Sequence, residues 1–515
     1  MTPPLRAPAT PIQLYGDLFV DVQMQPLFAD SKTFADATPR CLSPAALRVL
    51  YASAKRLPGF SLADFVVEHF ELGALPAPAA DEGTIPRLPL RAHIRRLWPQ
   101  LLRSAAPGLP PGGSLLPLPQ AYVVPGGRFR ECYYWDTYFT LLGLVADGRR
   151  DLAEPMLQNT AHQIDSLGHV PNGNRSYLCS RSQPPFFHLM VARVSAMPAA
   201  EAFASYLPQL QREHAFWMAG EGTLEVGTAA LHLVRLQDGS LLNRYADAAE
   251  GPREEAYRED VLTAAAGSRP AAEVWRDLRA AAESGWDFSS RWCADPLRLA
   301  SIQTTKLLPI DLNSLLWSLE RAIHTACLQT GDSASAEAFA QRALQRQAAI
   351  QRWLWHEAQG HHVDFHWAAQ RPELALTGAA LVPLYVGLAS AEQARRTAAA
   401  LEAQLLRAHG VLATTTVSGQ QWDAPNGWAP LQWLAVVGLR RYGHHALAQT
   451  IAARWLAMMA RVHRQTGKVM EKYDVCEERA GGGGEYPTQD GFGWTSGVVV
   501  ALAALYPELL PADRE

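Results

Sequence analysis

The chain has 515 residues, of which 48% are hydrophobic and 19% are charged, with 46 Lys and Arg against 50 Asp and Glu. This composition is typical of a globular protein with a large buried core, and it excludes a mainly disordered chain. The formal net charge of −4 provides no broad positive field that could attract a nucleic-acid backbone or an anionic lipid surface. We therefore expect neither nucleic acid nor a membrane as a partner.

Targeting and redox features are sparse. The first residues, MTPPLRAPATPIQLYGDLFVDVQ, lack the charged and apolar regions of a secretory signal, and no later run is apolar enough to span a bilayer. We expect a cytoplasmic location, with the periplasm as the alternative if an upstream signal peptide is omitted from this sequence. The six cysteines have no CxxC spacing, so the sequence predicts neither a zinc site nor a dense disulfide scaffold.

We expect two consecutive parts along the chain. Residues 1–120 are expected to form an N-terminal extension packed on the rest, and residues 121–510 to form the catalytic domain. No change of composition separates them, so one continuous domain from residue 10 to residue 510 is the alternative interpretation. The proline-rich stretch 75–119 predicts an ordered but irregular connection.

Helical spacing of apolar residues dominates the second part. Residues 333–360 place Phe339, Ala343 and Ile350 on one face, and residues 391–406 and 434–462 have a similar pattern. Gly443 is expected to separate two helices within the last of these stretches. Alternating runs of Val, Ile and Thr are short, which limits strands to small hairpins. The predicted fold class is all-α.

Between the predicted helices lie segments rich in Gly, Pro, Trp, Tyr and charged residues. They are residues 124–138, 168–185, 251–260, 285–292, 420–433 and 471–497. Flexible linkers are poor in aromatic residues, so we interpret these segments as binding loops that converge on one site. Aromatic rings beside carboxylates and amides suit a sugar, which has an apolar face and a belt of hydroxyls. For an isolated residue such as Trp317 or Trp353, a place in the core is the better interpretation.

Two acidic residues lie among aromatic neighbours, Asp287 in AESGWDFSSRW and Glu471 in VMEKYD. Glycosidic bonds are usually cut by two carboxyl groups, one protonated and the other ionised. A partly dry, aromatic environment raises a carboxyl pKa, which a general acid working near neutral pH requires. From the residues alone, a helix-capping role for Asp287 is an equal alternative.

Two long segments resemble signature patterns of a known family. PGGRFRECYYWDTY at residues 125–138 and QWDAPNGWAP at residues 421–430 are similar to the signatures of the trehalase family of glycoside hydrolases. The resemblance continues in family order through LYGDLFVDVQ, DSKTFADATPR, AESGWDFSSRW, PIDLN, EKYDV and GGGGEYPTQDGFGW. It implies an (α/α)6 toroid that hydrolyses α,α-trehalose to two glucose molecules with inversion, without metal or organic cofactor. We expect a monomer with trehalose as its small-molecule partner.

Carried over by position, the resemblance places the general acid at Asp287 and the general base at Glu471. The implied substrate-binding residues are Arg128, Phe129, Trp135, Asp136, Asn172, Arg181, Ser182, Gln183, Arg253, Glu255, Gly285, Trp422 and Glu485. Arg128 and Arg181 are expected to bind hydroxyls or to orient Glu471. The glycine run 481–484 resembles a mobile lid that carries Glu485 to a sugar hydroxyl.

One departure from the family pattern concerns residues 253–255. The family commonly has Arg-Pro-Glu where this chain has Arg253, Glu254 and Glu255, so we expect a loop that is less pre-organised. The alternatives are another inverting α-glucosidase or a phosphorylase on the same toroid, and a catalytically weak sugar-binding homologue. No glycine-rich phosphate loop supports the phosphorylase, and the presence of both carboxylates argues against the binding protein.

Overall fold

The fold consists mainly of α-helices. The structure is a computed structural model that describes residues 8–73, 88–105 and 111–510. Within these residues the N-terminal helices are α1 (Pro11–Tyr15), α2 (Asp17–Met24), α3 (Lys32–Ala35), α4 (Pro44–Ala54), α5 (Leu62–His69) and α6 (Leu90–Leu101). They are followed by α7 (Tyr134–Ala146), α8 (Arg150–Leu167), α9 (Phe187–Val194), α10 (Ala199–Ser205), α11 (Leu207–Trp217), α12 (Tyr257–Ala265) and α13 (Ala271–Ser284). The last seven are α14 (Ile310–Thr330), α15 (Ser333–Trp353), α16 (Val382–Val386), α17 (Ala391–Gln404), α18 (Ala429–Arg441), α19 (His445–Thr466) and α20 (Gly493–Leu505).

An inner ring of helices closes on itself. Contacts run from α7 to α9, through α10 to α14, and on to α16, α18, α20 and back to α7. Helices α7 and α20 are buried on almost every side, as expected for elements with neighbours all around. They approach closely at Gly143 and Gly497, where an added Cβ would collide with the backbone of the other helix.

A second layer of helices surrounds the ring. Helix α8 packs on α7 and α9, α11 on α14, α15 on α14, and α19 on α18 and α20. These helices bury one face, as Ala343 and Ile350 of α15 do. The all-α class and the helical toroid are confirmed, and Gly443 separates α18 from α19 as predicted. The helix predicted over residues 333–360 ends earlier, because residues 355–356 pair with residues 361–362 as strands.

The N-terminal helices α1–α5 build a second, smaller core with residues such as Phe19, Phe34 and Phe70. Helix α6, in contrast, packs on α19 and α20 in the outer layer of the toroid. The irregular connection predicted over residues 75–119 is wrong at α6, whose apolar residues recur at helical spacing and are buried. Residues 74–87 and 106–110 of that stretch lie outside the described residues. The division of the chain into an extension and a catalytic domain, or into one continuous domain, stays a prediction.

Strands are short, as predicted, and they pair antiparallel. They are β1 (Thr38–Pro39), β2 (Phe70–Glu71), β3 (Leu102–Arg103), β4 (Tyr122–Val123), β5 (Ala229–Ala230), β6 (Leu233–Arg235), β7 (Leu241–Asn243) and β8 (Leu307–Leu308). The others are β9 (Trp355–His356), β10 (His361–His362), β11 (Asp364–His366), β12 (Arg371–Glu373), β13 (Asn426–Trp428), β14 (Lys472–Asp474) and β15 (Arg479–Ala480). Not all of them form hairpins, because the pairs β8–β11 and β13–β14 join segments that are distant in the sequence. The sheet β13–β14–β15 pairs Trp428 with Lys472, which brings Glu471 next to the start of α18.

Candidate active site

A cavity collects side chains from loops that are far apart in the sequence. Of the fifteen residues singled out from the sequence, fourteen line it: Arg128, Phe129, Trp135, Asp136, Asn172, Arg181, Gln183, Arg253, Glu255, Gly285, Asp287, Trp422, Glu471 and Glu485. Ser182 is the exception. Its hydroxyl donates to the Val170 carbonyl at 2.6 Å and its backbone N–H donates to Glu283 Oε1 at 2.8 Å, so it supports the loop instead of lining the cavity.

Helix ends position several of these groups. Trp135 and Asp136 lie in the first turn of α7, and α13 ends at Gly285, whose φ of 75° is a left-handed C-cap. A Cβ at Gly285 would lie 2.7 Å from the indole of Trp135. Glycine is therefore required where α13 meets that ring, and the room it leaves is taken by Trp135 as well as by the cavity.

Asp287 follows Gly285 and faces the cavity. Burial raises the pKa of Asp287 to about 6, with Arg253 and Arg181 opposing the shift and the Glu471 charge adding to it. The direction is the one expected from its aromatic surroundings. A carboxyl group with this pKa retains its proton in far more molecules near neutral pH than an ordinary aspartate does, which suits a proton donor.

The helix-capping alternative for Asp287 is not what the structure contains. Ser289 Oγ accepts the Arg291 N–H at 3.1 Å, and Asp423 Oδ2 accepts the Ser290 N–H at 2.7 Å. Ser289 Oγ also donates to Asp423 Oδ1 at 2.9 Å. The short helix after Asp287 is thus capped by Ser289 and Asp423, and the Asp287 carboxyl group is left to the cavity.

Glu471 is held in one orientation by three donors. Tyr486 OH donates to Oε1 at 2.8 Å, Lys472 Nζ lies 3.2 Å from Oε2, and the Gln489 N–H donates to Oε2 at 3.4 Å. The Glu471 side chain is only 2% exposed. Fixed donors of this kind set the direction in which the carboxylate can accept a proton.

Arg128 and Arg181 have other partners than Glu471. Arg181 lies 2.5 Å from Glu255 and 3.4 Å from Asp247. The Arg128 guanidinium lies 4.7 Å from the centre of the Tyr486 ring, over its face. Among the described residues, other side chains than these two arginines hold Glu471. The binding of sugar hydroxyls by Arg128 and Arg181 stays a prediction.

A second group of carboxylates surrounds Arg253. Its guanidinium lies 2.6 Å from Asp260 and 2.9 Å from Glu485. Burial raises the pKa of Glu485 to about 7, an effect that Arg253 opposes and that Asp260 and Asp287 strengthen. Burial also raises the pKa of Asp136 well above its usual value, and the charges of Glu471 and Asp287 add to this. The cavity thus concentrates acidic groups that sugar hydroxyls can satisfy as hydrogen-bond donors.

Glu254, the departure from the family pattern, is buried and tied to the N-terminal helices. It is 5% exposed, and its Oε2 accepts the Ile12 N–H at 3.0 Å. Burial raises the pKa of Glu254 to about 7. The expectation of a less pre-organised loop is wrong in this respect, because a long-range hydrogen bond fixes the residue that replaces the proline.

Aromatic residues form much of the remaining wall. Trp422 stacks on Trp428 with ring centres 4.0 Å apart and on Trp286 with centres 5.0 Å apart. Phe129 is half-buried and meets Tyr486 edge-on, with centres 5.3 Å apart. Phe129 also meets Tyr133 and Phe492, and both Trp422 and Phe129 line the cavity.

The glycine run 481–484 lies against the loop that precedes Trp422. The Gly484 N–H donates to the Gly419 carbonyl at 3.2 Å, and Asn426 Nδ2 donates to the Gly482 carbonyl at 2.7 Å. These contacts place Glu485 and Tyr486 on the cavity wall. The mobility of this segment stays a prediction.

Sequence reasoning assigned no role to several residues of the site. They include Tyr486, Lys472, Asp260, Asp423 and the N-terminal stretch 30–32. Asp260 lies in the predicted loop segment 251–260, and the others lie inside a quoted motif, as Tyr486 does in GGGGEYPTQDGFGW. The motifs were the available signal, but their contacts depend on the fold.

Similar proteins agree on one family. A family model described as Trehalase matches residues 26–507. The chain is 51% identical to the periplasmic trehalase of Pseudomonas aeruginosa, over 96% of this chain and 90% of that protein. It is 50% identical to the periplasmic trehalase of Xanthomonas oryzae pv. oryzae, over 100% of this chain and 91% of that protein.

The names of these relatives overturn the expected cytoplasmic location. They are called periplasmic trehalases, which points to the periplasm instead. Location is set by a targeting segment, and neither composition nor the binding loops carry that information. Among the residues that the structure describes, no helix is long and apolar enough to cross a membrane.

Solved structures support the same architecture. Neutral trehalase Nth1 from Saccharomyces cerevisiae matches with a TM-score of 0.62 and 27% identity, over 74% of this chain and 73% of that one. A mannosylglycerate hydrolase from Thermus thermophilus matches with a TM-score of 0.55 and 18% identity, over 80% of this chain and 99% of that one, which supports the fold alone. With the family model covering residues 26–507 and relatives close to 50% identical over nearly the whole chain, this protein belongs to the trehalase family.

Proposed function

We propose that the chain hydrolyses α,α-trehalose to two glucose molecules in a single displacement with inversion, with Asp287 as general acid and Glu471 as general base. The observation that carries this proposal is that both carboxyl groups line one cavity in different surroundings. Burial raises the pKa of Asp287 to about 6, whereas Glu471 is surrounded by hydrogen-bond donors. Two carboxyl groups with separate acid and base roles are the usual requirement for cutting a glycosidic bond.

In the proposed reaction, Asp287 donates its proton to the bridging oxygen as the bond to the anomeric carbon breaks. Glu471 accepts a proton from a water molecule whose oxygen bonds to the same carbon from the opposite face. One glucose leaves with its configuration unchanged, and the attacked glucose is released as the β-anomer. Tyr486 and Lys472 hold the Glu471 carboxylate so that it faces the attacking water.

The sugar-binding roles are also proposals. The residues proposed to contact the disaccharide are Arg128, Phe129, Trp135, Asp136, Asn172, Arg181, Gln183, Arg253, Glu255, Trp422 and Glu485, all of which line the cavity. Carboxylates accept hydrogen bonds from sugar hydroxyls, and guanidinium groups donate to hydroxyl oxygens. Ser182 is proposed only as a support of the loop that carries Arg181 and Gln183.

The location that we propose is the periplasm, the alternative that the sequence left open, because the curated relatives carry that location in their names. A monomeric state stays a prediction. Specificity for trehalose is inferred from the family.

A glucose-release assay with trehalose, maltose, sucrose and trehalose 6-phosphate tests the function. We expect release from trehalose and much less from the other sugars. Turnover mainly of another α-glucoside would favour the alternative inverting glycosidase. Calorimetry on the same sample measures trehalose binding, and binding without glucose release would identify a sugar-binding homologue instead of an enzyme.

A further inference from the structure

One wall of the cavity comes from the N-terminal helices. The end of the loop between α2 and α3 contributes Asp30 and Ser31 to the cavity lining, and the first residue of α3 contributes Lys32. The same region builds the small core that is separate from the core of the toroid. The proposed sugar contacts and proton transfers involve no residue of the DSKTF segment, which begins at Asp30.

This loop is fixed by hydrogen bonds to the toroid. Ser31 Oγ donates to Glu259 Oε2 at 2.6 Å, and Lys32 Nζ lies 3.0 Å from the fully buried Glu131. Lys32 also lies 2.5 Å from Asp36. Because two carboxylates already neutralise Lys32, its ammonium group is occupied and Asp30 is the charged group that the loop offers to a ligand.

The two oxygens of Asp30 differ. Oδ1 accepts hydrogen bonds from Thr33 N at 2.9 Å and from Thr33 Oγ1 at 3.0 Å. Oδ2 lies 3.8 Å from Arg128 Nη2, which is beyond hydrogen-bond distance. Among the described residues Oδ2 therefore accepts no direct hydrogen bond. The carboxylate is held rigidly through one oxygen and presents the other next to a guanidinium group.

A carboxylate oxygen beside a guanidinium is an arrangement that binds a hydroxyl group. The hydroxyl can donate to the carboxylate and accept from the arginine, so both partners are satisfied at once. The Asp30 side chain is 26% exposed, whereas that of Glu471 is 2% exposed. Asp30 is thus a part of the cavity lining that is more open to solvent than the proposed base is.

We propose that Asp30 binds a hydroxyl of the outer sugar, the glucose that leaves with the bridging oxygen, and so makes the N-terminal helices part of the substrate site. The inference rests on the proposed function, because it assumes a disaccharide whose reacting glucose lies deeper in the cavity. It assigns Asp30 a role in substrate specificity and none in the proton transfers.

The test compares two substrates that share the reacting glucose and differ in the leaving group. Trehalose has a second sugar, whereas α-D-glucopyranosyl fluoride has a single fluorine atom and no outer hydroxyl. We expect Asp30→Asn and Asp30→Ala to lower kcat/KM for trehalose by about 10-fold or more, the loss typical of a hydrogen bond to a charged group. For the fluoride, kcat/KM should change by less than about twofold, because no contact to Asp30 is lost.

Asp17→Asn is the matched control, because Asp17 lies in the same N-terminal region with an 86% exposed side chain. Circular dichroism checks that each variant is folded, and Asp30→Asn preserves the shape of the side chain if Asp30→Ala does not fold.

An equal loss of kcat/KM on both substrates would overturn the inference, since Asp30 would then act through Arg128 on the reacting glucose. Unchanged kinetics with trehalose would also overturn it. Wild-type protein that cleaves the fluoride but not trehalose would instead overturn the proposed function.

Discussion

The hydroxyl of Tyr486 donates a hydrogen bond to Oε1 of Glu471 at 2.8 Å. Tyr486 follows Glu485 directly, and Glu485 lies 2.9 Å from Arg253 on another wall of the cavity. The segment that supplies a proposed sugar contact therefore also holds the proposed base. Any displacement of this segment changes sugar binding and the orientation of Glu471 together.

Tyr486→Phe should lower kcat by about 10-fold with a smaller change in KM, because it removes one hydrogen bond to the proposed base and keeps the ring. Steady-state kinetics with trehalose measure both constants. The contact of Arg128 with the ring at 4.7 Å should persist in the variant, because the ring is kept. The fold and the cavity wall should therefore be unchanged, and a loss of kcat can be assigned to the missing hydroxyl. A normal kcat would show that Lys472 and Gln489 suffice to orient Glu471.

The pH dependence of the reaction should report on Asp287. A general acid must be protonated, so kcat/KM should fall as the pH rises through about 6, the value to which burial raises the pKa of Asp287.

Asp287→Asn and Glu471→Gln should each lower kcat by at least ~100-fold while the protein stays folded. The alkaline limb should disappear from the residual activity of Asp287→Asn. If that limb persists, another group is the acid.

The products should appear as equal amounts of α- and β-glucose. In an inverting reaction water attacks one anomeric carbon directly, and the anomeric carbon of the leaving glucose is never touched. Proton NMR in the first moments of the reaction, before the anomers equilibrate, measures both signals. Release of α-glucose alone would mean retention, and would make a carboxylate of this site a covalent nucleophile.

Two neighbouring glycines allow a matched test of the segment 481–484. Gly483 has a φ of 80°, and a Cβ there would collide with the Gly419 carbonyl, whereas Gly482 has open space and no positive φ. Gly483→Ala should therefore displace Glu485 and Tyr486, lowering kcat and changing KM. Gly482→Ala should leave both constants unchanged. If Gly483→Ala also leaves kcat and KM unchanged, the position of this segment does not matter for turnover.

Glu254 should make stability depend on pH. Burial raises the pKa of Glu254 from 4.5 to about 7, so the folded state keeps a proton that the unfolded state loses, and stability falls as the pH rises across this range. The full effect is on the order of 3 kcal/mol, from about 1.4 kcal/mol for each pKa unit.

Glu254→Gln cannot ionise and should lose less stability between pH 4.5 and about 7 than the wild type does, the range set by the pKa of this group. Urea unfolding at both ends of the range measures the difference. Glu250→Gln, at an exposed position of the same segment, should follow the wild type. If the free energy of unfolding changes equally with pH in Glu254→Gln and in the wild type, Glu254 is ionised in the folded protein without a cost in stability.

The sequence by itself determined the helical class and the family, and it predicted the pair Asp287 and Glu471. Helical periodicity is a local property of the chain, so α15 and α17 could be predicted, although the end of α15 could not. Nearly all of the site residues named from the motifs line the cavity, because the resemblance preserves their order along the chain.

Tertiary structure alone decided how these residues are held. Glu254 binds Ile12 across 242 positions, Asp423 rather than Asp287 supports the following helix, and Tyr486 rather than an arginine orients Glu471. Such contacts join segments that are distant in sequence, and no local pattern specifies which side chains will meet. The shifted pKa of Asp287 belongs with them, because it arises from burial and from charges that only the folded chain brings together.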